Sequence, residues 1–232
     1  MHNIIIASPA EGRQKEIKME NSEKKIGLTA PAATSAKEKN RKYITTIVGV
    51  GLMTAIIVVL QLLASAIRFG PFSITLTLAP IIIGAAVFGQ WAGAWLGFVF
   101  GAAVLLSGDA AAFMTVDAVG TVLTVLVKGT LSGFLAGLVY NLIEKKNKYA
   151  AVIAAGITAP VVNTGVFLIG CFVFFLDTIS QWAAGEGLPV GEYILVGFIG
   201  LNFPVELMIN LALSTVIVTV IGFARKTLAE RR

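Results

Sequence analysis

From Tyr43 onward the chain runs in long apolar stretches broken by short polar punctuation. A helix needs about 20 apolar residues to cross the hydrocarbon core of a bilayer. Tyr43–Ile67, Val116–Ile143 and Tyr149–Leu176 each meet that length, and Tyr193–Ala224 contains one more such span. Ser73–Leu106 is ambiguous. As one helix it would reach roughly 50 Å at 1.5 Å per residue, too long for one crossing and short for two. Before Tyr43 the pattern disappears. "EGRQKEIKMENSEKKIGLTAPAATSAKEKNRK" mixes charge with Ala, Ser and Thr without an apolar period, and predicts a disordered tail over residues 1–42. "NIII" is too short for the apolar part of a signal peptide. Met19 opens "MENSEKK" as an ordinary bacterial start would, so the residues before it are expected to be dispensable or untranslated.

Charge resolves the ambiguous stretch. Arg13, Lys15, Lys18, Lys24, Lys25, Lys37, Lys39, Arg41 and Lys42 precede the first span. Lys145, Lys146 and Lys148 separate two later spans, and Arg225, Lys226, Arg231 and Arg232 follow the last. All of these fall on one side of the membrane only if Ser73–Leu106 makes two crossings, as the positive-inside rule asks. The expectation is therefore an all-α integral membrane protein. It is a six-helix bundle over residues 43–225 with both termini cytoplasmic, a tight turn near Gly89-Gln90, and a basic tail over 226–232. Trp91 and Trp95 then lie near the inner interface. The outer loops are Arg68–Phe72, Ser107–Thr115 and Asp177–Glu192, the last reading either as a linker or as a lid over an outward-facing site. Composition agrees: 56% of residues are hydrophobic and 13% charged, where a soluble domain has about a quarter charged. The basic residues lie at membrane borders, so the high pI points to lipid and not to nucleic acid.

Within this apolar background a few polar groups stand out. "NFPVELMIN" spaces Asn202, Glu206 and Asn210 four apart, on one face of a helix. Pro204 suits a first helical turn, so a span over Pro204–Ala224 would leave Gly197–Phe203 as an entry segment and put Glu206 in the outer half. Lys128 lies in the fourth helix and Asn163 mid-span in "APVVNTGVF". Ionisable residues at membrane depth are costly and usually face a protein interior or a water-filled cavity. Two readings stand. Glu206 can rest on a helix N-terminus, with Lys128 in a structural ion pair to Glu206 or Asp117. Alternatively Lys128, Asn163, Asn202 and Glu206 line one outward-facing pocket, with Asn210 behind it. Small residues recur every fourth position at Gly89, Gly93, Gly97 and Gly101, and again at Gly129, Gly133 and Gly137, with a short Gly51–Ala55 step on the first helix. Such ladders let helices approach closely, either inside the bundle or against a partner subunit.

Several chemistries are missing from the sequence. The single histidine, His2, is in the tail, so histidine catalysis and histidine metal sites within the membrane are excluded, and no metal or cofactor is expected. Cys171, the lone cysteine, reads as a small buried residue. There is no nucleotide-binding Gly-x4-Gly-Lys-Ser/Thr loop, so energy must come from a partner or an ion gradient. A Ser132–Lys128 pair is geometrically possible, but Ser132 within "GTLSGFLAG" reads more simply as packing, and the chain is not expected to be an enzyme.

"ITLTLAPIIIGAAVFGQWAGAWLGFVFG" (74–101) and "APVVNTGVF" (159–167), set among six helices behind a basic N-terminus, resemble the S-components of energy-coupling factor (ECF) transporters. These are the substrate-binding membrane subunits of bacterial vitamin importers. The resemblance covers Tyr43–Arg225. It implies a multi-pass protein of the bacterial cytoplasmic membrane that holds a vitamin or related micronutrient near the outer face. It also implies docking on a membrane coupling subunit driven by two cytoplasmic ATPases, and toppling within the membrane to release the ligand inward. Members make much of that contact through Ala-x3-Ala on the first helix, which here becomes Gly51 and Ala55. Asn163 and Asn202 fall where riboflavin-type members place binding residues. Those members carry a basic residue one turn further on, where this chain has Glu206, a departure from the riboflavin pattern. A carboxylate on Lys128 and a hydroxyl or amide on Glu206 would both be satisfied by pantothenate. The rival is a stand-alone ion-coupled secondary transporter with Lys128–Glu206 as a relay, although no repeat links the two halves. A membrane-embedded enzyme is the remoter alternative.

Overall fold

The computed structural model describes residues 9–66, 68–69, 72–73, 77–200 and 202–230. The chain divides into two compact units, Met1–Ile47 and Val48–Arg232. The described residues are helical almost throughout. Helix α1 is Pro9–Ala66, and a two-residue hairpin pair, β1 (Arg68–Phe69) and β2 (Phe72–Ser73), follows it. Next come α2 (Leu78–Phe88), α3 (Gln90–Leu106), α4 (Ala111–Met114), α5 (Ala118–Ile143) and α6 (Lys148–Phe174). The chain ends with α7 (Leu176–Gly185), α8 (Val190–Tyr193), a π-helical turn over Ile194–Gly200, α9 (Asn202–Ala212) and α10 (Ser214–Glu230).

Residues 9–42 differ from the expected disordered tail in being the first part of α1. They are rich in Lys, Glu and Ala, which are good helix formers even without an apolar period. A lack of apolar period therefore did not mean a lack of helix.

Among the described residues, four stretches are long and apolar enough to cross a membrane: Tyr43–Ser65, Ala118–Ile143, Lys148–Phe174 and Val190–Ala212. The ambiguous stretch is two shorter helices, α2 and α3, reversing at Gly89. Gly89 has φ 99°, a conformation that side chains rarely adopt, which is why the turn sits there. A Cβ at Gly93 would touch Ala85, and one at Gly84 would touch Leu96, so the two helices run antiparallel about the turn. Eleven residues of α2 span roughly 16 Å, about half of a hydrocarbon core.

The long glycine ladders face each other. A Cβ placed at Gly93 meets the Gly133 carbonyl, one at Gly97 meets Gly129, and one at Gly101 meets Val125. Helices α3 and α5 thus touch backbone to backbone, which only glycine allows. Of the two readings of the ladders, internal packing is the one realised. Ser132 belongs to the same packing. It is fully buried and its hydroxyl donates to the Ala159 carbonyl of α6 at 2.8 Å, so it is not poised over Lys128 as a nucleophile.

Caps set the helix ends. Asp117 precedes α5 and accepts from the Gly120 N–H at 3.0 Å, so it is a helix cap and not the ion-pair partner of Lys128. Asn147 does the same for α6, accepting from Tyr149 and Ala150. At the opposite end of α5, Arg225 of α10 pairs with Glu144 at 2.6 Å and donates to the Ala86 carbonyl at 2.5 Å. Ala86 lies in the last turn of α2, where carbonyls lack helical partners, so the guanidinium satisfies one of them. The last span also departs from expectation. Gly197–Phe203 is no separate entry segment, because Ile194–Gly200 is π-helical and α9 already begins at Asn202. Pro204 does sit in the first turn of α9, as its missing N–H suits. Leu213 joins α9 to α10 with unbroken backbone bonding, its N–H donating to Ile209 and its carbonyl accepting from Ile217.

Candidate ligand-binding site

One cavity of about 90 Å³ opens at the end of the bundle opposite Arg225 and Glu144. Six segments of the chain build most of it. Gln61 comes from the last turns of α1, and Phe100 and Val104 from the end of α3. Asp109 and Phe113 come from the connection that follows, and Thr121, Thr124 and Lys128 from the first half of α5. Asn163 and Phe167 come from α6, and Glu206 from α9. Phe175 and Phe198 complete the wall.

Of the residues singled out from the sequence, Lys128, Asn163 and Glu206 are brought together here. They come from three separate helices. Asn163 is 6% exposed and Glu206 2%, so neither faces lipid. The Asn202 side chain lies outside the described residues. Asn210 is buried one turn beyond Glu206 and donates to the Glu206 carbonyl at 3.0 Å, behind the cavity wall. Among the described residues no ion pair ties Lys128 to a carboxylate. Its ammonium lies 5.1 Å from the Phe167 ring centroid, a cation–π arrangement.

The remaining lining is aromatic. Phe113 is the hub: its ring centroid lies 5.0 Å from Phe175, 5.6 Å from Phe167, 5.7 Å from Trp182 and 6.0 Å from Phe198, all edge-on or nearly so. Trp182 belongs to α7, whose Ile179 and Ala183 are buried. The connection over 177–192 thus carries a short helix seated on the aromatic cluster. Cys171 is buried in that cluster, in accord with its reading as a small apolar filler.

The sequence reading missed Gln61, Asp109 and the phenylalanines. Gln61 carried a usable signal, being the lone amide in "IIVVLQLLASA". Asp109 looked like a solvated loop acid. The Gln61 amide donates to its carboxylate at 2.6 Å, across 48 positions of sequence. No local pattern announces such a pairing. Phenylalanines in a membrane span look alike whether they face lipid or a ligand. On α1, Gly51 and Ala55 are exposed, and a Cβ at Gly51 would meet nothing within 4 Å.

With this geometry in hand, the family comparison is decisive. The family model described as "ECF transporter, substrate-specific component" matches residues 45–224. The chain belongs to that family. It is a multi-pass membrane protein and a transporter subunit, and membership implies interaction with a substrate and with a membrane ECF module. The match begins inside the first candidate span and ends near Arg225, so it leaves out most of the charged N-terminal segment. No curated protein and no solved structure matches the chain.

Proposed function

We propose that this S-component captures a vitamin or related micronutrient from the outer face of a bacterial cytoplasmic membrane. Delivery inward then depends on a membrane coupling subunit and two cytoplasmic ATPases. The observation that carries the proposal is the convergence of Lys128, Asn163 and Glu206 on one cavity walled by phenylalanines. Buried polar groups that serve only stability are expected to satisfy one another, since an unpaired one costs several kcal/mol in hydrocarbon. Here the Asn163 carbonyl oxygen has no partner, and Lys128 is held by an aromatic face in place of a carboxylate.

The topology follows the same reading. Six helices cross or enter the membrane, α2 and α3 forming a reversal at the inner face, and both termini are cytoplasmic. This keeps Lys145, Lys146, Lys148, Arg225 and Lys226 on one side and places the cavity at the outer end. Lys128, Asn163, Asn202 and Glu206 are proposed as substrate-binding residues. Lys128 suits an acceptor on the ligand and Glu206 a donor. Pantothenate, with a carboxylate for the first and a hydroxyl or amide for the second, is one compound meeting both conditions.

Gly51 and Ala55 are proposed to dock the coupling subunit. Support comes from their exposure on a face shared with Leu52, Val59 and Leu62, all exposed apolar residues. A leucine at Gly51 would project into open space on the chain itself, so its harm would be confined to a partner. Gly51→Leu is expected to abolish co-purification of the chain with its coupling subunit while leaving the thermal midpoint of the isolated protein within about 1 °C of the parent. Unimpaired assembly would remove this face from the account. The transport reading is tested by uptake in cells with and without the coupling subunit. Uptake is expected only with it. Uptake by the chain alone, abolished by an uncoupler, would identify an ion-coupled carrier instead.

A further inference from the structure

We propose that the ligand presents hydrogen-bond donors on a flat ring, as an amino-substituted nitrogen heterocycle does, and that Gln61, oriented by Asp109, reads them. The inference rests on the binding role proposed for this cavity and names the chemistry that would fill it.

Among the described residues, three side chains lining the cavity hold a buried oxygen without a partner: Gln61 Oε1, Thr124 Oγ1 and Asn163 Oδ1. The residues are 1%, 6% and 6% exposed, so water does not satisfy these atoms at a protein surface. They come from three different helices, α1, α5 and α6, which makes a shared packing accident a poor explanation. Leaving each unmet costs about 1–3 kcal/mol, a cost that a bound molecule removes if it supplies donors.

An amide can often be turned end for end without visible change, exchanging acceptor for donor. Gln61 is not free to do so. Its Nε2 donates to Asp109 Oδ2 at 2.6 Å, a short charge-assisted bond. The flipped amide would set oxygen against carboxylate. Asp109 therefore fixes Gln61 as an acceptor toward the cavity, and acts as a positioning residue. Among the described lining residues Lys128 alone offers a charged donor, and its ammonium sits over Phe167.

The non-polar wall gives the shape. Phe100, Phe113, Phe167, Phe175 and Phe198 all line the cavity, and Phe113 packs edge-on against three of the others. Faces and edges of rings are the surfaces against which a planar ring stacks at 4.5–7 Å between centroids. An acyclic acid such as pantothenate would use Lys128 and offer hydroxyl or amide donors to the oxygens, but would leave most of this aromatic wall idle. An amino-bearing heterocycle uses both the oxygens and the wall. The same geometry favours the amino ring over its oxo counterpart, because a carbonyl would place oxygen against oxygen. Sites built to hydrogen-bond one polar pattern reject the wrong one strongly.

The test is direct binding to the detergent-purified full chain, followed by calorimetry or by the fluorescence of Trp182 beside Phe113. The probes are two pairs that differ by an exocyclic amino or oxo group, pterin against lumazine and 4-aminopyrimidine against 4-pyrimidinone, together with pantothenate. At least one amino member is expected to bind about tenfold or more tightly than its oxo partner and than pantothenate. Gln61→Met, which keeps length and apolar packing but deletes the acceptor, should bring that ratio close to one. Asp109→Asn should also lower the ratio, because an asparagine partner lets Gln61 turn. A purely structural role would lower affinity for all probes together and leave the ratio unchanged. The inference is overturned if pantothenate or the oxo probes bind as tightly as the amino ones, or if the ratio survives Gln61→Met in folded protein. If no probe binds and no small molecule is carried through purification, the binding role of the cavity falls, and this inference falls with it.

Discussion

Gly97→Leu is expected to prevent accumulation of a monodisperse protein after detergent extraction. At Gly97 even a single added carbon would overlap the Gly129 carbonyl, its carbon and the Thr130 Cα. These are backbone atoms and cannot rotate away. A leucine would force α3 and α5 apart along the whole seam at which Gly93 meets Gly133 and Gly101 meets Val125. Overpacking of a well-fitted core costs about 1–3 kcal/mol, and displacement of helix backbones puts this case at about 3 kcal/mol or more. The same substitution at Gly51 is the internal control, since nothing there lies within 4 Å. Thermal midpoints of the two variants measured side by side check the claim. Equal midpoints for Gly97→Leu and the parent would show that the α3–α5 seam is not close-packed as described.

Asn163→Ala and Glu206→Gln carry the second large effect. Each is expected to weaken ligand binding about tenfold to a hundredfold while leaving membrane insertion and the thermal midpoint of the unliganded protein near parent values. Deleting one buried hydrogen-bonding partner costs about 1–3 kcal/mol, and each 1.4 kcal/mol is a factor of ten in affinity. Asn163→Ala is the cleaner of the two, because its oxygen has no partner among the described residues. Removing it should therefore cost the unliganded fold little and the complex much. Glu206→Gln keeps shape and buried volume but loses charge and one acceptor. A variant that loses stability without losing affinity would place these residues in the scaffold.

The two effects also mark what was legible in the sequence. The helix reversal at Gly89, the paired glycine ladders, the burial of Asn163 and Glu206 and the half-burial of Lys128 follow from rules that act along one chain segment. A stretch too long for one span must fold back, every-fourth-residue glycines make a smooth stripe, and ionisable groups avoid lipid. The rest depends on which segments meet. Whether the ladders faced each other or a partner was open until α3 and α5 were placed together. Asp117 looked like a counter-charge for Lys128 because both are ionised, yet its position before Ala118 makes it a cap. The Gln61–Asp109 bond joins α1 to the loop after α3, and nothing local distinguishes Asp109 from a solvated acid. The phenylalanine wall is hidden for another reason: lipid and ligand pockets select the same side chains. The π-helical turn over Ile194–Gly200 carries no sequence signal that separates it from an ordinary helix.

The account stands on the cavity being a place where a small molecule from outside is held. The most direct measurement is mass spectrometry of the small molecules carried through purification by the parent protein and by Asn163→Ala, at equal amounts of folded protein. The account predicts one compound retained near stoichiometrically by the parent and largely lost from the variant. Equal retention by both, or a compound displaced by substitutions outside the cavity and indifferent to those within it, would contradict it.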